Sequence, residues 1–71
     1  MERIAIHTEF IKLQDLLQLA GLAGTGGQAK AMILEGLASV NGEICLQRGR
    51  KIRPGDAVTC QDREMTVAYG A

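Results

Sequence analysis

The chain has 71 residues, 46% of them hydrophobic and 23% charged, and its eight basic and eight acidic side chains balance to zero. This hydrophobic content without net charge excludes a disordered tail, and the length allows one small domain, residues 1–71, burying only about 60% of its unfolded surface. No apolar run reaches the roughly 18 residues of a membrane span, and the opening MERIAIHTEF lacks signal-peptide anatomy, so a soluble cytoplasmic protein is expected.

Residues Arg3 to His7 alternate weakly around Ile4 and Ile6, which predicts a short first strand. Leu13, Leu16, Leu17 and Ala20 then fall at i, i+3, i+4 and i+7, the single apolar stripe of a helix. Gly21 stands where such a helix ends in a left-handed residue that glycine adopts without strain. Leu22 to Gly27 is a glycine-punctuated turn, and Thr25 is the expected N-cap of a second helix. The stripe of that helix is Ala29, Met32 and Ile33, with Leu37 just beyond its terminator Gly36. Lys30 is about 100° round from Ala29, at the edge of the stripe, where its charge reaches solvent. Two short helices joined so closely must pack as an αα-hairpin.

After Gly36 the period changes to two. Ala38 and Val40, then Asn41-Gly42, then Ile44 and Leu46 carry a strong hairpin signal, because Asn-Gly supplies the positive φ angles of a type I′ turn. A basic run from Gln47 to Arg53 follows, and Arg53-Pro54-Gly55-Asp56 reads as a turn. Val58 and Cys60 form a strand, Gln61 to Arg63 a turn, and Met65 with Val67 the last strand. The order β-α-α-β-β-β-β defines an α+β domain, a helical hairpin packed on a small antiparallel sheet.

Little in this chain suits catalysis. His7 is the one histidine and has no nucleophile or carboxylate at a telling spacing, so a satisfied structural role is expected for it. Cys45 and Cys60 are too few and too far apart for a zinc site or a disulfide framework, and read as reduced thiols of a β-rich core. No metal or other cofactor is implied. Gly24-Thr25-Gly26-Gly27 before a helix invites a phosphate-loop reading, but the full Gly-x-x-x-x-Gly-Lys-Ser/Thr pattern is missing and Lys30 comes too late in it. A tight interhelical turn explains these glycines as well, and a helix start beside Lys30 could also receive a nucleic-acid phosphate.

The informative feature is charge distribution. Arg48, Arg50, Lys51 and Arg53 place half the positive charge in six positions, and no acid lies between Glu43 and Asp56. Such a run serves either as a solvated hairpin edge that guards an exposed strand or as a phosphate-binding patch. Arginine predominates three to one, and its planar fork suits bidentate phosphate contact. Phe10 and Tyr69 are the only aromatic residues, too few for the stacking platforms of single-strand binders. What remains is recognition of structured or duplex RNA by backbone and shape.

The motifs Thr25-Gly26-Gly27-Gln28-Ala29-Lys30, Ile33-Leu34-Glu35-Gly36, Val40-Asn41-Gly42, Arg50-Lys51 and Ile52-Arg53-Pro54-Gly55-Asp56 occur in that order. Together they resemble the alpha-L RNA-binding domain, the module named after the fourth small-subunit ribosomal protein, over about residues 13–58. The length is like that of its small bacterial members. The resemblance implies an RNA-binding surface made by the second helix and the following hairpin. Carried over by position, it nominates Lys30, Arg48, Arg50, Lys51 and Arg53, with Gln28 and Asn41 as further polar contacts. The family commonly has arginine where this chain has Gly26, which shifts the burden of binding toward residues 48–53. The implied function is non-catalytic recognition of structured RNA, with ribosomal RNA a candidate. The alternative is an adaptor whose basic patch docks an acidic protein.

Overall fold

The computed structural model describes residues 1–70. In chain order the elements are β1 (Glu2–Ile6), β2 (Ile11–Lys12), α1 (Leu13–Leu19), α2 (Gly26–Leu34), β3 (Ala38–Val40), β4 (Glu43–Ile44), β5 (Lys51–Ile52), β6 (Ala57–Cys60) and β7 (Arg63–Tyr69). One sheet has the strand order β1-β7-β6-β3-β4, and β2 with β5 forms a separate two-stranded ribbon. The fold is therefore the expected α+β arrangement in the expected order, with the two ribbon strands β2 and β5 added.

Helix α1 forms because its leucines share one face. Leu13, Leu16 and Leu17 are fully buried, each contributing about 1.5–3 kcal/mol by leaving water. Its 7 residues are too few to be stable alone, so packing rather than propensity holds it. Helix α2 contributes fully buried Ala29 and Ile33, and Met32 packs against them half-buried. Leu37, expected to extend that stripe, is exposed, because Gly36 at φ 78° ends the helix and turns the chain away. Beneath the helices, Ala38, Val40, Val58, Cys60, Met65 and Val67 complete a single core.

The sheet departs from the purely antiparallel expectation at one edge. Strand β1 pairs in parallel with β7, from Glu2↔Met65 to Ile6↔Tyr69, while the other pairings are antiparallel. Parallel neighbours need a long crossover, and here nearly the whole domain supplies it. Arg63 fastens this edge. Its Nε donates to Glu2 Oε2 at 2.6 Å, Nη2 donates to Glu2 Oε1, and Nη1 donates to the Ala20 carbonyl at 2.7 Å, which ties β1, β7 and the end of α1 together. His7 is satisfied as expected, with Nδ1 2.9 Å from the Gly70 carbonyl oxygen.

The β3–β4 hairpin exists, but its apolar alternation misleads. Val40↔Glu43 and Ser39↔Ile44 are the cross-strand pairs, so Ile44 lies opposite half-buried Ser39 and Cys45 takes the inward position. Ile44 and Leu46 are 66% and 56% exposed. Cys45 and Cys60 are both buried and free, flanking Ala38 on either side. Two strand spacings separate them, about 9–10 Å, beyond the roughly 7 Å between α-carbons that a disulfide tolerates.

Candidate nucleic-acid interface

The basic segment is not a free loop. Arg50 N–H closes a turn on the Gln47 carbonyl at 3.1 Å, and both arginine carbonyls point inward. Leu13 N–H donates to the Arg50 carbonyl at 2.9 Å and Gln14 N–H donates to the Arg48 carbonyl at 3.1 Å. The first amides of a helix have no partner within the helix, and the Lys12 side chain supplies no cap here. Residues 48 and 50 supply those acceptors from their backbones. The loop is thereby fixed to the start of α1, and the side chains of Arg48 and Arg50 remain exposed.

Strand β5 continues this surface. Ile52 is fully buried and Lys51 exposed, the alternation of a half-buried strand. The Lys51 ammonium sits 5.0 Å from the centre of the Phe10 ring, a cation–π contact that gives its long side chain a preferred course. The β2–β5 register sets Ile11 against Ile52 and Lys12 against Lys51. Like charges directly opposed across strands oppose folding. Lys12 therefore joins Arg48, Arg50 and Lys51, a residue that charge clustering along the sequence missed. Its signal was the pair Ile11-Lys12, whose apolar–basic order is the mirror of Lys51-Ile52.

Arg53 enters through the following turn. Asp56 Oδ2 accepts the Arg53 backbone N–H at 2.8 Å, and Asp56 N–H donates to the Arg53 carbonyl at 2.9 Å. The Arg53 amide bond holds the Asp56 carboxyl below its ordinary value; partial burial works against this, and the Asn41 amide and the charges of Arg50 and Arg53 add to it. Asp56 thus lies within electrostatic reach of two arginines of the cluster. Among the described residues the one ion pair is Arg63–Glu2, so Lys12, Arg48, Arg50, Lys51 and Arg53 carry no acidic partner.

Helix α2 begins as expected. Thr25 Oγ1 accepts the Gln28 N–H at 3.1 Å, and Gln28 Oε1 accepts the Gly24 N–H at 2.6 Å. This reciprocal pair is a variant of the capping box, in which the third helical residue reaches back to the preceding chain. The side-chain oxygen of Gln28 is accordingly committed to an internal bond, although the residue is exposed. Lys30 is exposed in the middle of α2. Asn41 is spent on the fold: its Oδ1 accepts the Ala57 N–H at 2.9 Å and its Nδ2 donates to Asp56 Oδ1 at 3.1 Å. Of the seven nominated residues, Arg48, Arg50, Lys51 and Arg53 lie on one exposed stretch bonded to the start of α1, Lys30 is exposed on α2, and Gln28 and Asn41 commit side-chain atoms to internal bonds.

The S4 domain family model matches residues 4–68, which include every cation of this surface. The chain belongs to the S4 domain family, a class of small RNA-binding module, as the motifs between residues 13 and 58 implied. Its relatives include a protein of Bacillus subtilis (strain 168) described as a probable ribosome maturation protein, RlbA. That protein is 44% identical over 55 residues, which make up 78% of either chain.

Proposed function

We propose that this protein binds structured RNA through its phosphates, without catalysis, on a surface formed by Lys12, Arg48, Arg50, Lys51 and Arg53. Lys30, exposed on α2, adds a further contact. The observation that carries this reading is the grouping of cations without an acidic partner beside the start of α1, held there by backbone bonds while their side chains stay exposed. Two features favour a rigid, structured target over a flexible strand. The loop is pinned at both arginines, and Phe10 is covered by Lys51 rather than open to a base. The relative named for ribosome maturation directs the choice of target to ribosomal RNA.

Titration of the isotopically labelled protein with a stem-loop RNA tests this reading. The amide resonances of residues 12–14 and 48–53 should shift together, while those of β1 and β7 stay in place. Shifts confined to the β1–β7 edge would remove the surface from consideration. A second reading, docking on an acidic protein, is favoured by exposed Ile44 and Leu46 on the same segment as Arg48. Pull-downs with and without ribonuclease separate the two, since a protein partner survives the treatment.

A further inference from the structure

A carboxylate beside a phosphate-binding surface works against it, because it repels the ligand that the neighbouring arginines attract. Asp56 is in that position, bonded to the Arg53 backbone and within electrostatic reach of Arg50 and Arg53. Its bonds give it a different task. One oxygen accepts the Arg53 amide at 2.8 Å, and the other accepts the Asn41 Nδ2–H at 3.1 Å. Asn41 in turn accepts the Ala57 N–H at 2.9 Å through its side chain and donates its own backbone N–H to the Ala57 carbonyl at 2.7 Å. The two turns, Asn41-Gly42 and Pro54-Gly55, are thereby locked to each other, although Asn41 and Asp56 stand 15 positions apart in the chain.

The identity of residue 41 fits this lock and nothing simpler. Its φ of 51° is left-handed, which Gly, Asn and Asp all tolerate, so the turn alone does not select asparagine. Only an amide of this length offers an acceptor to Ala57 and a donor to Asp56 together. Aspartate would satisfy Ala57 and then face the Asp56 carboxylate, and glycine would satisfy neither.

We infer that Asn41 and Asp56 are positioning residues for RNA binding: they touch no RNA and hold the turn that carries Arg53 in register with the loop of Arg48 and Arg50. This rests on the phosphate-binding reading above. It reassigns Asn41 from an RNA contact to a support.

The sign of one substitution and the rescue by a second test it. Asp56→Asn removes a negative charge from the surface, so charge alone predicts tighter RNA binding. The lock predicts the reverse, because the introduced amide has one oxygen for the two donors that the Asp56 carboxylate accepts, and one of them loses its partner within the protein. Binding of a fluorescent stem-loop RNA should weaken at least about fivefold, since a lost bond to a charged acceptor costs about tenfold or more when fully transmitted. Asn41→Asp should also weaken binding. The double exchange N41D/D56N restores every bond with the donor reversed. The carboxylate, now at position 41, accepts from Ala57 N–H and from the amide NH₂ at position 56, whose oxygen accepts from Arg53 N–H. Net charge is unchanged, and RNA affinity should return to within about twofold of wild type.

Amide hydrogen exchange at Arg53 and Ala57 reads the lock without RNA. It should quicken at one or both amides in Asp56→Asn and slow again in the double variant. Wild-type protein that binds no RNA overturns the phosphate-binding reading and this inference with it. Wild-type binding with an Asp56→Asn variant of equal or tighter affinity overturns the inference alone. If either single variant fails to fold, the double variant decides: wild-type affinity supports the lock, and weak binding by a folded double variant refutes it.

Discussion

Lys12→Glu is expected to move folding stability and RNA affinity in opposite directions. In the folded chain Lys12 lies directly opposite Lys51 in the β2–β5 ribbon, and neither has an acidic partner among the described residues. Directly opposed side chains start from β-carbons about 4.5–5.5 Å apart, and a cross-strand charge pair on a wet surface is worth roughly 0.2–1 kcal/mol. Replacing repulsion by attraction counts this twice, a stabilisation of about 1 kcal/mol, or about 4–8 °C in melting temperature for a domain of this size. The gain should shrink as salt rises to 1 M, where the screening length falls to about 3 Å. Residue 12 also begins α1, where a carboxylate is favourable in its own right. A double-mutant cycle with Lys51→Gln isolates the pair, because only the cross-strand part of the gain disappears with Lys51. RNA affinity should fall, with a slope of log affinity on log salt shallower by about 1. A less stable Lys12→Glu variant, or one with unchanged RNA affinity, would refute the view that the ribbon trades stability for phosphate binding.

Other perturbations follow from the same geometry. Gly26→Arg is expected to strengthen RNA binding: a β-carbon there meets only Gln18 Nε2 at 3.6 Å, an ordinary contact, so the domain should fold unchanged while gaining a cation at the start of α2. A fluorescence titration beside wild type checks it. Acid should destabilise the domain through Glu2 and Asp56, both held below their ordinary values of 4.5 and 3.8 by bonds to Arg63 and to the Arg53 amide. A depressed carboxyl pKa contributes stability that is present above the ordinary value and is lost as pH falls through the lower folded value. Thermal melts from pH 6 to pH 2 should therefore fall most steeply below about pH 4.5, and Glu2→Gln should flatten the profile.

Much of this fold is legible in local pattern, and the failures have identifiable causes. Leu13, Leu16 and Leu17 repeat at helical spacing and are all fully buried, because a short helix has only one way to leave water. Thr25 caps α2 and Asn41-Gly42 turns the hairpin, since each depends on neighbours a few residues away. The parallel pairing of β1 with β7 joins Glu2 to Met65, nearly the two ends of the chain, and no local period encodes a partner at that distance. The same holds for Lys12 and Lys51, whose strands are two residues each. Ile44 and Leu46 mislead for a different reason: the two-residue turn fixes the register, and register sends Cys45 inward whatever the hydrophobicity of its neighbours. At the candidate site, arginine clustering pointed to the loop, whereas Gln28 and Asn41 look alike in sequence whether they serve RNA or the fold. Only their bonds to Gly24, Asp56 and Ala57 tell these roles apart.

The most direct measurement is the affinity of a fluorescent structured RNA across a salt series, for wild type and for a variant with Arg48, Arg50 and Lys51 all replaced by alanine. Neutralisation of about four phosphates gives a slope of log affinity on log salt near −3 to −4. The variant should keep its melting temperature within a few degrees, because the backbone carbonyls of residues 48 and 50 still cap α1 and the lost Lys51–Phe10 contact is offset by relief of the Lys12–Lys51 repulsion, and it should bind more weakly with a shallower slope. Equal affinity and slope in a variant with an unchanged melt would contradict phosphate binding by this surface.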